Sequence, residues 1–221
     1  MNDYYRFPLA PECIPFVLGL VIISIIGVYF DLKIIWVFAC LCVIFVLFFF
    51  RNPRRDISLD SDSIVAPADG LVIDIENGIS SDIIGDTRVD RIAIFMSIWN
   101  VHVNRMPIDG TVSKIIDKKG VYLDTRNQAS SDQNRSKSMI ILTKYGKILL
   151  KQVAGLIARQ IVNQLKVGDK VKQGKPFGMV RFGSKVEVIF PSEGALILVK
   201  KGDKTTAGVT ILARYNMEQK K

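Results

Sequence analysis

The chain has 221 residues, 49% of them hydrophobic, and a formal net charge of +9. That length can bury a real core, and the cationic excess favours an anionic partner, either nucleic acid or an anionic membrane surface. A single histidine, His102, excludes a histidine ligand cluster within the chain. Cys13, Cys40 and Cys42 lack ligand spacing, so neither a metal site nor a disulfide framework is expected.

From Met1 to Glu12 the sequence is short and polar, and Pro8, Pro11 and Pro15 discourage an early helix. Two apolar runs come next, Phe16 to Phe30 and Ile34 to Phe50, parted by Asp31-Leu32-Lys33. Each falls somewhat short of the roughly 20 residues that cross about 30 Å of hydrocarbon. Two arrangements fit: a helical hairpin dipping into or across the bilayer, or one crossing with an interfacial helix. A cleaved signal peptide fits poorly, because no basic region precedes the block and the block is too long. Arg51, Arg54 and Arg55 close it, and by the positive-inside rule they hold the downstream domain on the cytoplasmic side of the cell membrane. Residues 1–55 thus read as a membrane-associated segment and 56–221 as a separate domain.

Beyond Asp56 the pattern changes to short β-branched runs punctuated by Gly, Pro and Asp. Runs at 64–66, 71–75, 92–98, 111–116, 139–143, 147–153 and 186–190 read as strands, and 160–165 as a strand or a short helix. A Pro-x-acid-Gly turn recurs as Pro67-Ala68-Asp69-Gly70, Pro107-Ile108-Asp109-Gly110 and Pro191-Ser192-Glu193-Gly194. A second device, Gly168-Asp169-Lys170, returns as Gly202-Asp203-Lys204. The expected fold is mainly β: a compact sandwich or barrel-like domain with quasi-repeated, lipoyl- or biotinyl-like hairpins, preceded by an N-terminal membrane helical hairpin. Lys118 to Lys137 is a polar stretch, either a solvated loop or a functional one.

Chemistry has few places to sit. Gly183-Ser184 interrupts the strand-like run Arg181 to Val188, which marks a bend, a bulge or a close backbone approach. A nucleophilic serine needs a base, and the only imidazole is His102, just past an apolar strand. Asp69 lies in a turn that could present a carboxylate to it. An Asp69, His102, Ser184 relay therefore stands beside the plainer reading of a surface histidine, a turn-capping aspartate and a bulge serine. No phosphate-binding loop, hydrolase elbow or nucleic-acid recognition motif is present. Asp82, Asp86, Asp90 and Arg91 read as a charged hairpin end.

Taken together, several motifs resemble the phosphatidylserine decarboxylase proenzyme family, in its short bacterial and archaeal-like form. They are Ala66-Pro67-Ala68-Asp69-Gly70, the run Phe95 to Pro107 containing Asn100-Val101-His102-Val103-Asn104-Arg105, Asn134-Arg135, Gln152 to Arg159, and Gly178 to Ser184. They occur in the family's order across Ile64 to Leu212. The resemblance implies an inactive precursor that cuts itself between Gly183 and Ser184. Attack of Ser184 on the Gly183 carbonyl would give an ester. Elimination and hydrolysis would then release ammonia and leave a covalent pyruvoyl group at residue 184. That group would form a Schiff base with phosphatidylserine and release CO2, giving phosphatidylethanolamine. The implied partners are phosphatidylserine in an anionic membrane and the chain's own β and α pieces after cleavage, with a homo-oligomer left open and no nucleic acid.

Many longer members carry two histidines before the proline of the His102 region. Here the second place is Arg105, so His102 must serve self-cleavage, decarboxylation or both. Arg105 is read as a phosphate or carboxylate contact, and Lys185 as a contact for the lipid phosphate. Two rivals remain: a decarboxylase of a related serine phospholipid such as archaetidylserine, and a non-catalytic membrane-anchored lipoyl- or biotinyl-like β domain.

Overall fold

The computed structural model describes residue 5 and residues 8–57, 60–81, 84–85, 88–156, 160–181 and 183–216. Ile157, Ala158, Arg159 and Phe182 of the family-like motifs lie outside the described residues, as do Asp82, Asp86 and Met217 to Lys221. The chain divides into two compact units, Asn2–Arg54 and Arg55–Lys221.

The first unit is a helical hairpin of α1 (Ile14–Tyr29) and α2 (Lys33–Phe49). Asp31 takes φ 53 in the turn, and Leu32 N donates to Gly27 O at 2.7 Å. A side chain on Gly27 would meet Trp36 Cβ at 2.9 Å, so glycine lets the helices close on each other. Ile22, Ile25, Ile34, Phe38 and Ile44 are all exposed. Helices apolar all round suit a lipid surrounding. Pro11–Tyr29, at 19 residues, is long and apolar enough to cross a membrane, whereas Lys33–Phe49 is shorter.

The second unit is built from strands. In chain order they are β1 (Ser63–Val65), β2 (Gly70–Ser80), β3 (Arg88–Met96), β4 (Val103–Arg105), β5 (Gly110–Lys118), β6 (Ser136–Thr143) and β7 (Gly146–Val153). The remainder are β8 (Ile161–Asn163), β9 (Lys170–Val171), β10 (Pro176–Val180), β11 (Ser184–Pro191), β12 (Ala195–Ile197), β13 (Lys204–Thr205) and β14 (Ile211–Tyr215). Eight form a curled half-barrel in the order β13-β2-β3-β11-β7-β6-β5-β9. Two three-stranded sheets, β1-β14-β12 and β4-β10-β8, complete the domain.

The repeated halves are present in the hydrogen bonds. Val65 N donates to Pro107 O at 2.9 Å, and its counterpart Arg105 N donates to Pro67 O at 2.8 Å. Gly202 N to Val72 O matches Gly168 N to Val112 O, both at 2.8 Å, and Gly208 N to Ala66 O matches Gly174 N to Met106 O, again at 2.8 Å. Strand order read inward from either edge gives the same sequence of roles. The likeness to lipoyl or biotinyl carriers finds no confirmation in this topology; the Gly-Asp-Lys turns serve the two edges of the half-barrel. Period-two alternation sends Ile92 and Ile94 of β3, Ile148 and Leu150 of β7, and Val186 and Val188 of β11 into one core. Because β11 is central, paired to β3 and β7, its first residue lies deep in the domain.

Candidate active site

Strand pairing brings separate motifs to one end of the half-barrel. Ser184 at the head of β11 faces Met96 at the end of β3, and Lys185 faces Val153 at the end of β7. Val153 in turn faces Ser136, which faces Lys118, so both ends of the polar stretch emerge there. The turn carrying Asp69 arrives beside them, since Leu71 pairs with Phe95.

Ser184 continues the core-facing register of Val186 and Val188, and it is fully buried. Its Oγ has no hydrogen-bond partner. A buried hydroxyl without a partner is costly, and natural proteins keep such groups for a reason. Before it, Gly183 takes φ 62, in the left-handed region that favours glycine. A Cβ on Gly155 would overlap the Gly183 carbonyl oxygen, so Gly155 is the backbone lying directly against that carbonyl. On the same face, Gln152 Nε2 donates to Asn104 Oδ1 at 2.8 Å, and Asn104 Nδ2 reaches Met96 Sδ at 3.5 Å. Both amides are fully buried, and Gln152 Oε1 has no partner.

His102 is fully buried on the connection between β3 and β4. Its Nδ1 lies 2.9 Å from the Asn100 carbonyl oxygen. A carbonyl only accepts, so Nδ1 carries the proton and Nε2 of the neutral ring is the basic nitrogen. Asn100 is held by its own side chain, whose Oδ1 accepts from Ser97 N at 2.9 Å and Ser97 Oγ at 2.7 Å. A backbone carbonyl in a tight turn therefore orients the imidazole.

The third residue of the relay expected from spacing, Asp69, is held in its turn by two bonds. Asp69 Oδ2 accepts from Arg55 at 2.7 Å, and Oδ1 accepts from Ala207 N at 2.8 Å. Asp109 does the same in the other half, accepting from Gln173 N at 2.7 Å and Lys172 Nζ at 2.6 Å. These bonds hold the Asp69 carboxylate in its turn, as the matching bonds hold Asp109 in the other half. Arg105 likewise does not face solvent. It is buried, its Nη1 donates to Gly174 O at 3.1 Å, and its pKa is pulled to about 10 by burial and by Arg55, against Asp69.

Lys185, expected as a phosphate contact, sits in a buried ionic cluster. Its register turns it to the opposite face from Ser184, where it is almost fully buried. Its Nζ donates to Ser130 Oγ at 2.9 Å and Ser131 Oγ at 2.7 Å, and lies 3.2 Å from Glu187 Oε1. Arg91 reaches the same Glu187 oxygen at 3.3 Å, and Lys151 the other at 3.9 Å. Burial pushes the Glu187 carboxyl up, but Lys185, Lys151, the Ser131 hydroxyl and Arg91 more than reverse this, leaving it lowered. Burial pulls the Lys185 ammonium down further than Glu187 restores it. Ser130 and Ser131 belong to α3 (Ser130–Gln133), so this ionic cluster anchors the polar stretch to β11. That stretch keeps an exposed outer side while Thr125, Ser130, Ser131 and Asn134 are buried.

Sequence reasoning assigned no role to Gln152, Asn104, Asn134, Gly155 or Thr125. The signal lay in amides within apolar runs, Leu149 to Val153 and Val101 to Arg105, where a buried amide demands a partner. Among the described residues no group of His, Cys, Asp and Glu is arranged to hold a metal.

The family model described as phosphatidylserine decarboxylase matches residues 43–213. A phosphatidylserine decarboxylase proenzyme of Geobacter metallireducens is 43% identical over 211 residues, covering 93% of this chain and 95% of the relative. The proenzyme of the same name from Geotalea uraniireducens is 40% identical over 206 residues, covering 93% and 95%. That of Desulfotalea psychrophila is 38% identical over 210 residues, covering 95% and 97%.

Proposed function

The chain belongs to the phosphatidylserine decarboxylase family, and from that premise we propose that it is a self-processing enzyme that converts phosphatidylserine to phosphatidylethanolamine and CO2. The observation that carries the self-processing step is Ser184 itself, a buried hydroxyl without a partner directly after a left-handed glycine. In the precursor, Ser184 Oγ attacks the Gly183 carbonyl carbon while His102 Nε2 takes the hydroxyl proton. Gly183 and Gly155, both without Cβ, leave room for that approach. Cleavage makes two pieces, Met1 to Gly183 and residues 184–221. The smaller one stays bound because β11 is hydrogen-bonded on both sides, to β3 and to β7.

The pyruvoyl group made at residue 184 would supply a ketone that takes the substrate amine as a Schiff base and draws electrons as CO2 leaves. Around it, Asn104 and Gln152 offer fixed polar atoms, and Gln152 Oε1 is an acceptor suited to an ammonium or a hydroxyl. The apolar helices bring the enzyme to its substrate in the membrane, with Arg51, Arg54 and Arg55 favouring a catalytic domain on the cytoplasmic side.

The test is direct. Purified protein in phosphatidylserine-containing micelles should release CO2 and form phosphatidylethanolamine, and prior treatment with phenylhydrazine should abolish this by capturing the ketone. Turnover unaffected by a carbonyl reagent would remove the pyruvoyl reading. Gly155→Ala should block processing, because the added methyl and the Gly183 carbonyl oxygen cannot share one position. The readout is the intact 221-residue chain on a denaturing gel, and normal cleavage would show that this contact does not hold the bond in place.

A further inference from the structure

The polar stretch between β5 and β6 is pinned over the Gly183-Ser184 bond by two sets of ties. Asn134, fully buried, donates through Nδ2 to Leu123 O at 2.8 Å and Ala154 O at 2.9 Å, and its Oδ1 accepts from Leu123 N at 2.9 Å. Ala154 N donates to Arg135 O at 3.0 Å. From the other side, Lys185 holds the Ser130 and Ser131 hydroxyls, and Ser130 Oγ lies 3.3 Å from Thr125 O. Fixing Leu123 to residue 154 and Ser130 to residue 185 leaves Thr125 little freedom between them.

Thr125 is 1% exposed, and its Oγ1 has no hydrogen-bond partner. Its Cγ2 lies 3.4 Å from the position a Cβ on Gly155 would take, the same position that the Gly183 carbonyl oxygen crowds. The Thr125 methyl and the Gly183 carbonyl oxygen therefore border the same Gly155 site, and Thr125 and Ser184 each carry a buried hydroxyl without a partner. A buried donor with nothing to donate to is unfavourable in the resting precursor, and it becomes favourable when charge develops beside it.

We propose that Thr125 is an oxyanion donor for self-cleavage, supplied by the polar stretch, an inference that rests on the proposed self-processing. As Ser184 Oγ bonds to the Gly183 carbonyl carbon, the carbonyl π pair moves onto its oxygen and His102 Nε2 holds the serine proton. The Thr125 hydroxyl donates to that negative oxygen. When the pair returns, the bond from carbon to the nitrogen of residue 184 breaks, and that nitrogen takes the proton from His102. The result is an ester with all atoms accounted for. Gly155, without a Cβ, leaves the Thr125 side chain and the Gly183 oxygen room to approach, and Lys185 acts from the far face of the sheet as a positioning residue.

The test is timed cleavage of freshly synthesised full-length precursor, tracked by intact mass. Thr125→Val keeps shape and the methyl contact but loses the donor, and should slow cleavage about 100-fold. Thr125→Ser keeps the donor and should cleave within several-fold of the unaltered chain. If Thr125→Val cleaves as fast as the unaltered chain, or Thr125→Ser is as slow as Thr125→Val, the inference is overturned while self-processing stands. An unaltered chain that never cleaves would remove both.

Discussion

Ser184→Ala should leave a single uncut chain of 221 residues with no decarboxylase activity. Loss should be complete, because Ser184 is both the nucleophile that opens the backbone and the source of the reactive group. The structure also states what should not happen. Ser184 Oγ is buried and has no partner, so replacing it with a methyl hydrogen removes an unsatisfied polar atom and breaks no bond. Stability of the uncut chain should stay level or rise by about 1 kcal/mol. Thermal unfolding of the variant beside an equally uncut Gly155→Ala chain would separate the two causes, since only the second introduces a clash. A cleaved or active Ser184→Ala protein would contradict the assignment.

Glu187→Gln carries the largest expected cost in stability. Glu187 is 1% exposed and is the one anion shared by Lys185, Arg91 and Lys151. Removing one member of a buried ion pair while leaving cations in place costs about 3–5 kcal/mol. The sign of the pH dependence comes from the lowered carboxyl. Its contribution is fully present above the unfolded value of about 4.3 and is lost as pH falls through the lower folded value. Acid unfolding of the unaltered protein should therefore steepen below about pH 4, and the variant, weaker at neutral pH, should show a flatter acid limb. Denaturant titrations at pH 7 and at a series of values below pH 4 measure both. Equal stability at pH 7 would mean that the cluster contributes nothing to holding α3 on β11.

The long strands and both helices are legible from pattern because their burial has a period. The 71–75 run lies within β2, the 92–98 run overlaps β3 as far as Met96, and the two apolar runs become α1 and α2, shifted by one or two residues. Strands of two or three residues, β4, β9 and β13, have no period to read and are set by the internal symmetry. The same symmetry explains the Asp69 reading. One turn carboxylate beside one imidazole suggests a relay, and the equivalent bonds of Asp109 show that the turn itself is common to both halves. Lys185 shows a different limit of sequence spacing. Next to a reactive residue in sequence means opposite faces in a strand. Thr125, Asn134 and Gly155 matter only through long-range contacts that no local spacing encodes.

The central claim is that the strand break at Gly183-Ser184 is a cleavage site, and the mass of the purified unaltered protein tests it most directly. The account predicts two species, Met1 to Gly183 and residues 184–221, with the smaller one lacking its serine amine and blocked to N-terminal sequencing. A single chain of 221 residues with Ser184 unmodified, purified in a membrane-like environment, would contradict it.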